Sequence, residues 1–270
     1  MALAAQRVVE SGDRLGECPI WDERMAALWW VDIHGRSLRR YDGELRSFAL
    51  PEQAGSIALR KAGGLLVALE SGLYLIGTEE PKLLVRPAEH HTALRFNDGR
   101  CDRAGRFWVG TMQEPDHAPR GVLYRVEANG RAAAMRSAIR VPNSLAWSPD
   151  GRTMYFADSP RHKIWAFDYD PETGACSNER LFAAPFPGFP DGSCVDAQGC
   201  LWNAEWSNSR VVRYTPDGKI DRVVEVPAKN PTCCCFGGVR LDTLYITSAD
   251  GAGLFALQPG VTGLPESRFG

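Results

Sequence analysis

One phrase recurs six times along this chain: a short apolar run, a turn rich in Asp and Gly, an aromatic-rich run, a second turn, and a run ending in Tyr or Phe. The copies are CPIWDERMAALWWVDIHGRSLRRYD, SIALRKAGGLLVALESGLYLI, CDRAGRFWVGTM with GVLYRV, SLAWSPDGRTMYFADSPRHKIWAFDYD, SCVDAQGCLWNAEWSNSRVVRYTP and FGGVRLDTLYITSADGAGLFALQ. Their spacing, about 40 to 45 residues, is the period of propeller blades. Inside each copy, alternation of period two between turn residues reads as short antiparallel strands, and no amphipathic helix of about ten residues or more is legible. Six similar units favour radial repetition over a sandwich, because each blade can then pack its faces on its neighbours. The sequence therefore predicts an all-β, six-bladed β-propeller, occupying residues 1–270 as a single domain; that it is a propeller with an axial metal site rests on the register of the copies. QRVVE, near the N-terminus, is expected to supply the outer strand of the last blade and so close the ring.

Composition excludes several classes of function. With 31 basic against 33 acidic residues and a net charge of -2, the chain has no basic footprint for a nucleic acid. No apolar run approaches the roughly 18 residues of a membrane span, and the first ten residues lack the pattern of a signal peptide. The expectation is a cytoplasmic protein with neither a nucleic-acid nor a membrane partner, monomeric or weakly homo-oligomeric. Eight cysteines are dilute in 270 residues, and the consecutive Cys233, Cys234 and Cys235 suit neither paired bridges nor a zinc knuckle. They read as reduced, mostly buried thiols.

The copies can be aligned on their first turn. Eight residues before the turn glycine stand Ser56 (from Gly64), Asn97 (from Gly105), Asn143 (from Gly151) and Asp191 (from Gly199); the same step gives Glu17 from Met25 and Cys235 from Thr243. These positions should begin the strands nearest the propeller axis and approach one another at one mouth of the channel. Glu17, Asn143 and Asp191 would then offer three hard oxygen ligands from separate blades, a set suited to one divalent metal ion such as Ca, Mg, Mn, Zn or Fe. Taken singly, an Asn or Asp before a strand is an ordinary turn former. Their equivalence across blades is what points to metal.

Other features read as structural. The turns Asp102 to Gly105, Pro149 to Gly151 and Asp196 to Gly199 use Gly for positive φ and Asp as an acceptor of backbone N–H groups. Trp29, Trp108, Trp165 and Trp202 are expected in the packing between blades. His90 and His91, adjacent on an extended segment, would point apart and are expected in a solvated loop.

The phrases LGECPIWD, RFNDGRCDRAGRFWVGTM, VPNSLAWSPDGRTMYFADSP, IWAFDYDPETG, PDGSCVDAQGCLW and PTCCCFGG resemble those of the regucalcin, gluconolactonase and sugar-lactone lactonase family, from about Leu15 to Ala249. The resemblance implies a six-bladed propeller that binds one divalent metal at its axis and hydrolyses aldonolactones. It assigns the metal to Glu17, Asn143 and Asp191, the three that the blade register selects, and places Arg95 and Asn97 against the substrate. Some members add an acid from the loop after GTM. Here that loop is QEPDHAPR, with Glu114 and Asp116 both available, and the assignment stays open, as does the sugar.

The expected chemistry is metal-dependent hydrolysis of a small-molecule sugar lactone, of gluconolactone or pentonolactone type, to the aldonic acid. The cation would polarise the carbonyl and offset the oxyanion, with Asp191 or a cation-activated water as the base. A serine hydrolase is disfavoured because no G-x-S-x-G phrase occurs. Two alternatives remain: a metal-dependent hydrolase of other esters or phosphotriesters, and a non-enzymatic calcium-binding propeller. Repeated Gly-His and Trp-Asp signatures of a WD40 scaffold are missing.

Overall fold

The computed structural model describes residues 3–77, 80–87, 90, 93–184 and 188–270. Six antiparallel sheets are arranged as the blades of a propeller, each running outward from an inner strand. The inner strands, from blade 1 to blade 6, are Gly16–Asp22, Ala54–Leu59, Leu94–Cys101, Pro142–Trp147, Phe189–Val195 and Pro231–Gly237. Each inner strand packs against those of its two neighbours, so the six form a closed ring. Among the described residues the one helical element is a single 3-10 turn, Ser159–Arg161.

Ring closure follows the sequence expectation. Gln6–Val9 pairs antiparallel with Leu254–Leu257 as the outer strand of blade 6, while Leu3–Ala4 runs parallel to Ile220–Glu225 on the rim of blade 5. The two N-terminal strands thereby complete the last two blades. Closing a sheet system in this way leaves only short edges exposed to other chains.

The core is a set of wedges between adjacent blades. Trp30, Trp202 and Phe255 share one wedge spanning blades 5, 6 and 1, and Trp108 packs with Trp147 and Tyr169 between blades 3 and 4. Trp108 and Trp202 are fully buried, as the sequence predicts. Trp29 and Trp165 are only partly buried, each beneath a guanidinium, Arg40 at 5.7 Å and Arg161 at 5.3 Å. Strand alternation explains Trp29: its neighbour Trp30 faces inward, with Nε1 donating to Asp13 Oδ2 at 2.7 Å.

The first turns behave as expected and do more besides. Asp102 Oδ1 accepts the N–H groups of Ala104 and Arg106, and Asp196 Oδ1 those of Gln198 and Cys200. Their second oxygens tie the blade together: Asp102 Oδ2 accepts from Arg106 Nε at 2.6 Å and from the Tyr169 hydroxyl of blade 4. Asp196 Oδ2 accepts from Trp202 Nε1 at 2.9 Å and Arg213 Nε at 2.8 Å.

The last residues cross the far end of the channel. Thr262 and Gly263 hydrogen-bond to blades 5 and 6, Glu266 lies 3.4 Å from Arg100 of blade 3, and Arg268 reaches Asp22 of blade 1. Phe269, buried, is bracketed by backbone bonds to Leu59 and Lys61 of blade 2.

Two expectations about histidine need separating. His90 is buried rather than solvated: its ring stacks on Phe96 with centroids 4.6 Å apart, and Nε2 lies 2.5 Å from the Glu70 carbonyl oxygen. His91 lies outside the described residues.

Candidate metal and substrate site

The turn register can now be read from hydrogen bonds. In every blade one residue of the first turn donates its N–H to the carbonyl three residues earlier: Met25, Gly63, Gly105, Gly151, Gly199 and Leu241. Eight residues before these stand Glu17, Gly55, Asn97, Asn143, Asp191 and Cys233. Four of the six predicted positions hold. Ser56 and Cys235 are corrected to Gly55 and Cys233, for two reasons. In the Gly63–Gly64 doublet it is Gly63 that closes the turn, and in blade 6 the left-handed residue is Leu241, with φ 52. At Gly55 a Cβ would stand 2.2 Å from the Phe96 carbonyl oxygen and 2.7 Å from the Asn97 nitrogen, so the missing side chain lets blades 2 and 3 close up beside Asn97.

Inner-strand bulges aim these side chains. Pairing shifts register just after Glu17, Asn143 and Pro190, and the residues following Glu17 and Asn143, Cys18 and Ser144, take φ 51 and 64. A bulge redirects a side chain that regular pleating would point elsewhere. The segments leading in are fixed from the second strands. Asp32 Oδ1 accepts the N–H groups of Arg14 and Leu15, ahead of Glu17, and Asp158 Oδ1 those of Arg140 and Val141, ahead of Asn143.

Glu17, Asn143, Asp191, Arg95, Asn97 and Glu114 all line one cavity of about 380 Å³ at this mouth of the ring. That volume lies within the range of small-molecule sites. Glu17 and Asp191, from blades 1 and 5, are buried and close enough to share a hydrogen bond, and neither forms an ion pair with a basic side chain among the described residues. Burial, followed by the charge of Asp98, pushes Glu17 up to about 8. Burial and the charge of Glu17 raise Asp191 well above the carboxylate range. Asp98 itself is pushed up to about 6 by burial, although its Oδ2 accepts the Leu145 N–H at 2.8 Å.

The carboxamides are oriented by their neighbours. Asn143 Nδ2 donates to Ser159 Oγ at 2.8 Å, and Ser159 Oγ donates to the Pro190 carbonyl at 2.6 Å. This turns Asn143 Oδ1 to the side shared with Asn97, whose Nδ2 lies 3.1 Å away. Asn97 Oδ1 accepts from Arg95 Nη1 at 2.7 Å, and Arg95 Nη2 pairs with Glu114 Oε1. Burial alone would raise Glu114, but the His34 imidazole, 3.7 Å from Oε2, and the Arg95 guanidinium outweigh it and hold the acid well below its ordinary value. Of the two loop acids, Glu114 therefore faces the cavity. Asp116 accepts the Ala118 N–H within its own loop.

Two buried carboxylates meeting with no ion-paired base among the described residues, beside an oriented carboxamide oxygen, are a donor set that fits a hard divalent cation. Glu17 Oε2 is occupied by the Cys18 N–H at 3.0 Å, which leaves Oε1 for a ligand. Among the described residues no three His, Cys, Asp or Glu side chains converge, and the oxygen nearest in kind beside the two acids is the Asn143 carboxamide on the same cavity wall.

Sequence reasoning missed much of the cavity wall. Leu15, Met112, Val141, Pro160, Phe189 and Trp206 form its apolar part. Ser159 carried a usable signal, since it follows the second strand of blade 4 as Ile33 follows that of blade 1, at the same mouth.

Fold and cavity together define an axial-site propeller, and residues 15–250 match the profile of the SMP-30/gluconolactonase/LRE-like family. The chain belongs to that family. It is 42% identical over 252 residues to a 6-deoxy-6-sulfogluconolactonase of Pseudomonas putida, a match covering 90% of this chain and 86% of the relative. It is 34% identical over 289 residues to a pentonolactonase of Haloferax volcanii, covering 98% of each. The crystal structure of a calcium-binding protein, regucalcin, from Agrobacterium tumefaciens superposes with a TM-score of 0.94 at 30% identity, covering 100% of this chain and 98% of the other. No helix among the described residues is long and apolar enough to cross a membrane.

Proposed function

We propose that this cavity hydrolyses an aldonolactone, of gluconolactone or pentonolactone type, with one divalent cation held by Glu17, Asn143 and Asp191. The chain is a hydrolase acting on cyclic esters, in keeping with its lactonase-named relatives. The observation that carries the finer reading is the pair of buried acids, Glu17 and Asp191, at the cavity wall, neither of them ion-paired to a basic side chain among the described residues. When bound, the cation supplies Lewis acidity, polarising the lactone carbonyl and offsetting charge as its oxygen becomes an oxyanion.

The chain's own residues do the rest. Arg95 spends both Nη1 protons on the Phe96 carbonyl and Asn97 Oδ1 and one Nη2 proton on Glu114, which leaves an Nη2 N–H for a sugar hydroxyl. Asn97 Oδ1 keeps a lone pair for a second hydroxyl, and the two residues orient the ring. Asp191 takes a proton from the water that adds to the carbonyl carbon. It returns that proton to the ring oxygen as the C–O bond breaks, giving the open hydroxy acid. Met112, Phe189 and Trp206 offer an apolar wall to the carbon skeleton of the ring.

Proton release from D-glucono-1,5-lactone and from pentonolactones tests this reading. Chelation and Asp191→Ala should each lower the rate by at least about a hundredfold. Unchanged rates in both would remove the enzyme.

A further inference from the structure

One short turn grips the strand that carries Asp191. The 3-10 turn Ser159–Arg161 of blade 4 ends at His162, whose left-handed φ of 52 brings its N–H onto the Ser159 carbonyl at 2.9 Å. From the two ends of this turn, two side chains reach Gly188, Phe189 and Pro190 of blade 5. Ser159 Oγ donates to the Pro190 carbonyl at 2.6 Å, and His162 Nδ1 lies 3.1 Å from the Gly188 carbonyl oxygen. A carbonyl only accepts, so Nδ1 carries the proton and the orientation of the imidazole is set. Between these two bonds the His162 ring packs on the Phe189 ring, with centroids 4.3 Å apart and planes 34° from parallel. Gly188 leaves no room for a side chain: a Cβ there would stand 2.7 Å from Asn208 Cβ and 2.9 Å from Glu205 Oε2.

Phe189 is on the cavity wall, and His162 is not. Phe189 lines the cavity beside Trp206, its direct cross-strand partner, so the two rings share one face of blade 5. Asp191 stands two residues further along the same strand, and Pro160, from the middle of the turn, adds to the apolar wall. A phenyl group makes no hydrogen bond, so its rotamer is set by what packs on it. For Phe189 that neighbour is the half-buried His162, itself fixed by its bond to Gly188.

We infer that His162 is a positioning residue: packed on Phe189, it holds that ring with Trp206 as an aromatic platform for the C–H face of the bound sugar ring. This rests on the aldonolactone reading of the same cavity. A sugar ring carries hydroxyls at its rim and C–H groups on its faces. Arg95 and Asn97 serve the rim, and a flat apolar surface serves the face. The two ends of one turn thus divide the work, Ser159 acting on the cation donors and His162 on the orientation of the ring.

Binding tests this apart from turnover. His162→Ala, His162→Phe, Phe189→Ala and the double alanine variant, each shown by a melting curve to be folded, are assayed for lactone hydrolysis. The same metal-loaded proteins are titrated calorimetrically with D-glucono-1,5-lactam, which has an amide in place of the ester. His162→Ala should weaken lactam binding and raise KM by about fivefold, with kcat and divalent-cation affinity within about twofold of the unsubstituted protein. His162→Phe keeps the ring contact without the Gly188 bond and should recover most of the loss. On a Phe189→Ala background, His162→Ala should add less than about twofold, because its route to the sugar is gone. No measurable lactam binding, unchanged affinity in His162→Ala, a matching loss of cation affinity, no recovery in His162→Phe, or full additivity with Phe189→Ala overturns the positioning role. The expected binding pattern without turnover keeps the platform and sinks the lactonase, and turnover with no effect of His162→Ala does the reverse.

Discussion

Glu114 holds Arg95 from the neighbouring strand: the acid directly after the second strand of blade 3 pairs with the guanidinium near the start of the inner strand of the same blade. The pair joins the loop to the Arg95–Asn97–Asn143 chain of hydrogen bonds, so loop position and carboxamide orientation are coupled. Replacing Glu114 by Gln keeps the shape and removes the charge. The expected outcome in steady-state kinetics is a loss of about tenfold in kcat/KM, carried mainly by KM because Arg95 loses its fixed direction.

Metal affinity should depend on pH in a defined direction. Glu17, ordinarily at 4.5, is pushed up to about 8 by burial first and the Asp98 charge second. A raised carboxyl stabilises the metal-free fold fully below about pH 4.5, and this contribution is lost as the pH climbs to about 8. A divalent cation needs both Glu17 and Asp191 ionised and so displaces protons. Cation affinity measured by titration should rise from pH 5 through about 8, and the gain in melting temperature on adding cation should be larger at pH 8 than at pH 6.

Ser159 acts on the site through Asn143. Its hydroxyl accepts from Asn143 Nδ2 and donates to the Pro190 carbonyl, one residue ahead of Asp191, and so ties two proposed ligands from adjacent blades to each other. Ser159→Ala should weaken divalent-cation binding by about 10- to 100-fold, as losses of such outer partners do. Thermal stability should change far less. Calorimetric titration and a melting curve together check it.

Asp196 is a structural hub, and its loss should appear in stability. It is fully buried and serves Trp202 Nε1, Arg213 Nε and two backbone N–H groups. Asp196→Ala leaves those donors without an acceptor and should cost about 3 kcal/mol. A lower midpoint in urea unfolding, with cation stoichiometry retained in the protein that remains folded, is the expected result.

The blades were legible because each copy carries period-two alternation between turn signals, and Gly105, Gly151 and Gly199 mark the register by themselves. Gly55 and Cys233 were not, since Leu241 closes its turn in a left-handed conformation that no residue type announces, and a Gly–Gly doublet offers two starting points. The metal-set candidates were legible for the same reason that two axial positions were misread: all depend on counting from a turn. Arg14 and His34 of blade 1, His117 of blade 3 and Trp206 of blade 5 lie on loops or strand ends, and only ring closure brings them to one opening. Trp29 shows a further limit. Two adjacent tryptophans on a strand face opposite ways, and hydrophobicity does not say which faces in.

The residues from Thr262 to Phe269 lie across the end of the ring opposite the acids, stitched to blades 5, 6, 3, 2 and 1. That segment buttons the ring from behind, joining early and late blades to one another. Deleting residues 262–270 should therefore let the first and last blades part more easily, read as a lower midpoint in thermal unfolding.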